Sequence, residues 1–158
     1  MRKKGGGPFH RGSIDDPAAL GAVAAASDAV VHLAYNHDFS RMADAAATEQ
    51  RVVDALCSAL SGSDKPFVFA SGVLGLGVGR AGTELDQPDP ALHPRVAAAE
   101  FAMSFAEHGV RPLAVRFAPT VHGEGDNGFV ARIVSADRAA DAAAYIGDGT
   151  NQIGRAHV

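Results

Sequence analysis

Short apolar runs alternate along the chain with longer stretches in which apolar residues recur at helical spacing. The runs 29–34 (AVVHLA), 67–70 (FVFA) and 113–117 (LAVRF) are bounded by turn residues and predict buried strands. The remaining pattern predicts a last short strand at 143–146 and helices at 17–27, 40–60, 94–108 and 129–135. Strands that alternate with such helices are joined by crossover connections, so the pattern predicts an α/β fold with a parallel sheet covered on both faces.

Polar and glycine-containing segments follow the first three predicted strands. They are Tyr35 to Asp38, Ser71 to Val73 and Ala118 to Gly123. In open parallel sheets, ligands bind at the carboxyl ends of the strands. The three segments are therefore expected to share one edge of the sheet and to form a site for a small-molecule ligand.

Composition narrows the class of protein. The chain has 158 residues, a formal charge of −4 and an isoelectric point near 5.9, which disfavours nucleic acid and anionic membrane surfaces as partners. A single cysteine, Cys57, cannot form an internal disulfide, and it falls on the apolar face of its helix, where we expect it in the core. No apolar run approaches the roughly 20 residues that span a bilayer. We therefore expect a cytoplasmic protein.

Four segments in order resemble the short-chain dehydrogenase/reductase superfamily, in its extended and atypical branch of NAD-dependent epimerases and dehydratases. They are Gly12 to Pro17, His32 to Ala34, Phe69 to Val73 and Val115 to Gly123. The first resembles the turn that contacts adenine, with Ser13 where the family usually has an aspartate. The others resemble the strand end beside the cofactor ribose, the strand end that carries the catalytic serine, and the loop that closes over the nicotinamide.

The resemblance implies a cofactor, NAD or NADP, and a role for each matched residue. Ser71 is expected to be catalytic, orienting the oxygen of a small carbonyl or sugar-like substrate. The expected cofactor-binding residues are Ser13, Ile14, Leu33, Ala34, Tyr35, Ser71, Pro119, Thr120, Val121 and His122.

The sequence departs from the family in two ways that bear on function. It contains no Gly-x-x-Gly-x-x-Gly turn, so we expect a partial Rossmann-like, doubly wound parallel sheet that lacks the first βαβ unit, with weak or absent cofactor binding in this chain. The helix at 94–108 also lacks the Tyr-x-x-x-Lys pair of the family, and Arg95 is a poor proton donor. The alternative is therefore a non-catalytic module that binds a dinucleotide or a partner.

The two ends of the chain differ in character from the middle. Residues 1–8 are basic and glycine-rich and predict a disordered, non-native lead, whereas 9–152 predict the Rossmann-like domain. Residues 153–158 resemble a translated sequencing adapter and are expected to be a non-native tail. Together with the missing first βαβ unit, this tail leads us to expect a chain that is truncated at both ends.

Two histidines have simpler interpretations beside the functional ones. His32 lies in an apolar run and is expected to be packed and hydrogen-bonded, and His122 fits an ordinary surface loop as well as a nicotinamide contact. The spacing of His32 and His37 matches neither a helical register nor a short metal-binding turn, so no metal site is predicted.

Overall fold

The computed structural model of the protein describes residues 8–73, 76, 79–91, 93–126, 128–150 and 154–157. Its helices are α1 (Pro17–Ala25), α2 (Met42–Leu60), α3 (Pro94–Ser104) and α4 (Phe129–Ala140), and 3-10 turns at Phe39–Arg41 and Phe105–His108 precede α2 and follow α3. Its strands are β1 (Val30–His32), β2 (Pro66–Gly72), β3 (Arg111–Phe117), β4 (Thr120–His122) and β5 (Arg155–His157).

The chain divides into two compact units. The larger unit comprises residues 1–70 and 74–115, and the smaller unit comprises 71–73 and 116–158. A three-stranded parallel sheet has the order β1, β2, β3, and its strands belong to the larger unit except for the last two residues of β2 and of β3. The smaller unit carries the parallel pair of β4 and β5. Within the described residues, β1 therefore has one strand neighbour and presents a free edge.

Helix α1 begins and packs as its sequence predicts. The Asp16 carboxylate accepts a hydrogen bond from the Ala19 backbone N–H at 3.2 Å, and Pro17 occupies the first turn, where its missing N–H costs nothing. Gly21 lies against α2, and a Cβ there would come within 3.0 Å of the Ala55 carbonyl oxygen. Glycine at this position therefore permits the close approach of α1 to α2.

The core of the larger unit lies between the helices and β2. Val52, Val53, Cys57 and Leu60 of α2 pack with Phe67 and Phe69 of β2, together with buried residues of α1 and α3. The interior prediction for Cys57 is confirmed, since its side chain is fully buried. Because alternate residues of a strand share a face, Phe67 and Phe69 point to the same helical layer.

A glycine turn connects the helical segment of α3 to β3. Gly109 has a φ of +70°, the left-handed conformation that ends helices and that glycine adopts without strain. The chain then reverses, and the Arg111 N–H donates to the Lys65 carbonyl at 3.0 Å, which places β3 beside β2.

Four sequence predictions of local structure need correction. The strand predicted at 113–117 forms within β3 but is not buried, since Leu113, Val115 and Phe117 are exposed. The strand predicted at 143–146 is wrong, because Tyr145 and Ile146 are exposed in a stretch of turns that follows α4. Helix α4 runs to Ala140 rather than ending at 135, and Thr120–His122 is a strand where a loop was predicted. The strand that pairs with β4 is β5, whose residues lie more than thirty positions further along the chain. No local sequence pattern therefore indicates this pairing.

Candidate functional site

A groove of about 700 Å³ runs beside the free edge of β1 in the larger unit. Its walls come from the segment before α1, from α1 itself and from β1 with the residues that follow it. Lining residues are His10, Arg11, Gly12, Ser13, Ile14, Ala19, Leu20, Val23, Ala24, Ser27, Ala29, Val30, Val31, His32, Leu33, Ala34 and Leu56. Four of the predicted cofactor-binding residues, Ser13, Ile14, Leu33 and Ala34, thus meet in one cavity.

Ser13 lies in the turn that leads into α1. Its hydroxyl donates to the Asp15 carboxylate at 3.1 Å and accepts from the Asp15 N–H at 3.1 Å. This local bonding holds the turn and brings an exposed carboxylate next to the hydroxyl. The exposed Asp15 carboxylate therefore lies within hydrogen-bonding distance of the Ser13 hydroxyl.

His32 forms the floor of the groove at the end of β1. Its Nε2 lies 3.2 Å from Oε2 of Glu49 on α2, and both side chains are buried. The His32 ring also stacks near Phe67, with ring centroids 6.3 Å apart. The interpretation of His32 as a packed, hydrogen-bonded residue is confirmed, and Glu49 is its partner.

Tyr35 stands beyond the groove, three residues past β1. The guanidinium carbon of Arg95, on α3, lies 4.1 Å from the centroid of the Tyr35 ring, and the His37 ring meets the same ring edge-on at 5.3 Å. Arg95 Nη2 also donates to the Ala70 carbonyl in β2 at 3.4 Å. The structure therefore groups Tyr35 with Arg95 rather than with the residues that line the groove.

Ser71 directly follows Ala70 in β2, near the carboxyl end of the strand, and it is partly buried. The strand-end position that the sequence predicted for this serine is the one observed.

The four predicted residues on the nicotinamide side lie in the smaller unit. Pro119 precedes β4, and Thr120 is buried, with its hydroxyl donating to the Gly154 carbonyl at 2.9 Å. Val121 is exposed, whereas His122 Nδ1 lies 3.1 Å from the Thr120 carbonyl oxygen. His122 lines a second cavity of about 300 Å³, whose other lining residues are Gly123, Asp126, Val130, Ala131, Val134, Ser135 and Arg138.

Two features of the site escaped sequence reasoning. Arg11, Leu20 and Val23 line the groove. Arg11 directly precedes Gly12, and that position was the available signal, whereas Leu20 and Val23 lie on α1 and carried none. The contact of Arg95 with Tyr35 joins residues sixty positions apart, so that no sequence spacing could reveal it.

Cys57 takes no part in either cavity. Burial, with a smaller contribution from the nearby Asp54 carboxylate, raises the pKa of its thiol to about 12. At neutral pH this thiol is protonated, and a nucleophilic role is disfavoured.

Among the helices that the structure describes, none has both the length and the apolar character needed to cross a membrane.

Comparison with known proteins finds two curated relatives in yeasts and no matching family. The chain is 35% identical over 153 residues to "Uncharacterized protein C2A9.02" of Schizosaccharomyces pombe, covering 96% of the chain and 51% of that protein. It is 32% identical over 148 residues to "Uncharacterized protein YLL056C" of Saccharomyces cerevisiae, covering 93% of the chain and 50% of that protein. The chain thus spans about half the length of the curated relatives it matches.

Solved structures share the fold, among them "MoeE5 in complex with UDP-glucose and NAD", with a TM-score of 0.67, and "MoeE5 in complex with UDP-glucuronic acid and NAD", with a TM-score of 0.66. Each is 26% identical, and each match covers 94% of this chain and 54% of the other. The prediction of a partial Rossmann-like α/β fold is confirmed, and the solved proteins with this fold hold NAD.

Proposed function

We propose that this chain forms part of an NAD(P)-dependent oxidoreductase or epimerase that acts on a small carbonyl or sugar-like substrate. The observation that carries the proposal is the groove beside β1, which gathers Ser13, Ile14, Leu33 and Ala34. The likeness to solved structures that contain NAD and a UDP-sugar supports it.

The groove suits the adenosine end of a dinucleotide. Its volume of about 700 Å³ falls in the usual range of ligand pockets, and Ile14, Leu20 and Leu33 offer apolar surface for a flat ring. The hydroxyl of Ser13 and the backbone at Leu33 and Ala34 offer polar contacts for a ribose. We assign these residues to the adenosine side.

In this proposal, the reacting end of the site is formed by residues of the smaller unit. Ser71 donates a hydrogen bond from its hydroxyl to the substrate oxygen, and the segment from Pro119 to His122 binds the nicotinamide side. When bound, NAD or NADP supplies or accepts a hydride. The serine contributes by fixing the substrate oxygen, because a positioned donor stabilises the charge that develops there.

A second candidate function is dinucleotide binding without turnover, or an interaction role. The start of α3 favours it, since His93 and Arg95 occupy the region where the family resemblance leads one to expect tyrosine and lysine. The Arg95 guanidinium is permanently charged and cannot exchange a proton at neutral pH.

Steady-state turnover with a panel of carbonyl and UDP-sugar substrates separates the two functions. In the enzyme case, Ser71→Ala lowers kcat/KM by about a hundredfold, as expected for loss of a positioned donor. The exposed Ser58→Ala on α2 serves as the matched control and leaves turnover unchanged. NAD binding with no hydride transfer to any substrate would exclude the enzyme and leave the binding module.

A further inference from the structure

Arg95 bridges the carboxyl ends of two neighbouring strands. Its guanidinium lies over the ring of Tyr35, which follows β1, and it donates to the carbonyl of Ala70 in β2. Strands β1 and β2 are adjacent and parallel, with His32 paired to Phe69. The guanidinium therefore lies at the carboxyl ends of the strands, where open α/β proteins bind their ligands.

The guanidinium has donor capacity that no contact among the described residues uses. Arginine carries five N–H donors, and within the described residues the side chain of Arg95 makes one hydrogen bond, to the Ala70 carbonyl. No described carboxylate forms an ion pair with it. Arg80 shows the contrasting case, since its guanidinium binds both oxygens of the Asp86 carboxylate.

Two contacts hold the guanidinium in a fixed orientation. The Tyr35 ring lies 4.1 Å from the guanidinium carbon, and the Ala70 carbonyl accepts a hydrogen bond from Nη2. Arg95 is also only partly exposed, so that its conformational freedom is reduced before any ligand binds. The neighbouring side chains are His93, whose Nδ1 accepts from the Arg95 backbone N–H, and His37 against Tyr35. Neither histidine brings negative charge to the cluster.

We propose that Arg95 binds an oxyanion of the substrate, a carboxylate or a phosphoryl group, through its free N–H donors, while Tyr35 positions it. A planar guanidinium matches the two oxygens of such a group in a paired hydrogen-bonding geometry. The inference rests on the proposed function and narrows its substrate class to anionic compounds, such as a sugar acid or a sugar phosphate.

The test measures the dissociation constants of UDP-glucuronic acid, UDP-glucose and glucose by calorimetry or NMR titration of the whole chain. Wild type is compared with Arg95→Gln, Arg95→Lys and the control Arg111→Gln, which removes the same charge from an exposed site at the start of β3. Arg95→Gln is expected to weaken binding of the anionic compounds at least about tenfold, as loss of a charge-assisted pair does. Arg95→Lys keeps the charge without the planar fork and is expected to recover part of that loss.

The pattern across compounds identifies the oxyanion. A loss confined to UDP-glucuronic acid assigns the carboxylate, and an equal loss for both UDP-sugars assigns the phosphoryl group. The proposal is overturned if wild type binds neither UDP-sugar more tightly than glucose, or if Arg95→Gln behaves like Arg111→Gln. NAD titrated into the same proteins tests the proposed function separately, and an equal loss of NAD affinity in Arg95→Gln would also contradict a substrate site.

Discussion

Nε2 of His32 lies 3.2 Å from Oε2 of Glu49, and this buried pair joins the carboxyl end of β1 to the middle of α2. His32 lines the groove, so that one lining residue of the candidate cofactor site is held by a polar contact as well as by apolar packing. Buried polar groups are costly when unpaired, which makes the pair a sensitive point of the fold.

Removing one member of this pair should destabilise the protein. Glu49→Leu leaves a buried His32 nitrogen without its partner, and we expect a loss of about 1–3 kcal/mol in the free energy of unfolding. Glu49→Gln retains a group that can both donate and accept, and its loss should be smaller. Urea denaturation measures both, and the exposed Glu107→Leu should stay within about 0.5 kcal/mol of wild type. A loss for Glu49→Leu no larger than that of Glu107→Leu would show that the pair does not stabilise the fold.

Cys57 should be unreactive in the native protein. Its side chain is fully buried, and burial raises the pKa of its thiol to about 12. At neutral pH the thiol is therefore protonated and out of reach of a reagent in solution. We expect Ellman's reagent to release almost no thiolate signal from the native chain and one equivalent after denaturation in guanidinium chloride. Rapid native labelling would place Cys57 at the surface and contradict the packing of α2 on β2.

The free edge of β1 predicts self-association. Val31 is 63% exposed, and its strand has one neighbour among the described strands. A strand at the edge of a sheet presents unpaired backbone N–H and C=O groups that can pair with another chain. We expect concentration-dependent aggregation of wild type in light scattering, relieved by Val31→Lys, because a charge on an edge strand opposes pairing. Leu85→Lys, which is 81% exposed in a loop, adds the same charge and should not relieve it. A monodisperse wild-type monomer would contradict the prediction.

Asp86 should titrate below its ordinary range. Hydrogen bonds from the Arg80 side chain, followed by those from the Thr83 backbone N–H, lower its pKa. Because the folded pKa is depressed, the ionised carboxylate stabilises this loop above the ordinary pKa near 3.8, and the contribution is lost as pH falls through the folded pKa. NMR titration of the Asp86 carboxyl carbon should give a higher pKa in Arg80→Gln than in wild type. Equal values would show that the Arg80 contact does not form in solution.

Sequence patterns predicted the strongly periodic elements and missed those that depend on distant partners. The apolar face of α2 and the run around Phe67 define their elements locally, and both form as predicted. Strand β4 exists because it pairs with β5, and the Tyr35–Arg95 contact exists because α3 packs beside β2; neither contact has a sequence signal. Of the candidate site, the residues near β1 meet because the segment before α1, α1 itself and β1 follow one another along the chain and line the same groove.

NAD binding in the groove is the central claim, and amide NMR of the labelled chain during titration with NAD tests it most directly. The lack of a Gly-x-x-Gly-x-x-Gly turn predicts weak binding, so the titration extends to millimolar NAD. We expect saturable shift changes that are largest at residues 12–14 and 33–35. An absence of shift changes, or changes that leave these two segments unaffected, would contradict the assignment of the groove as a dinucleotide site.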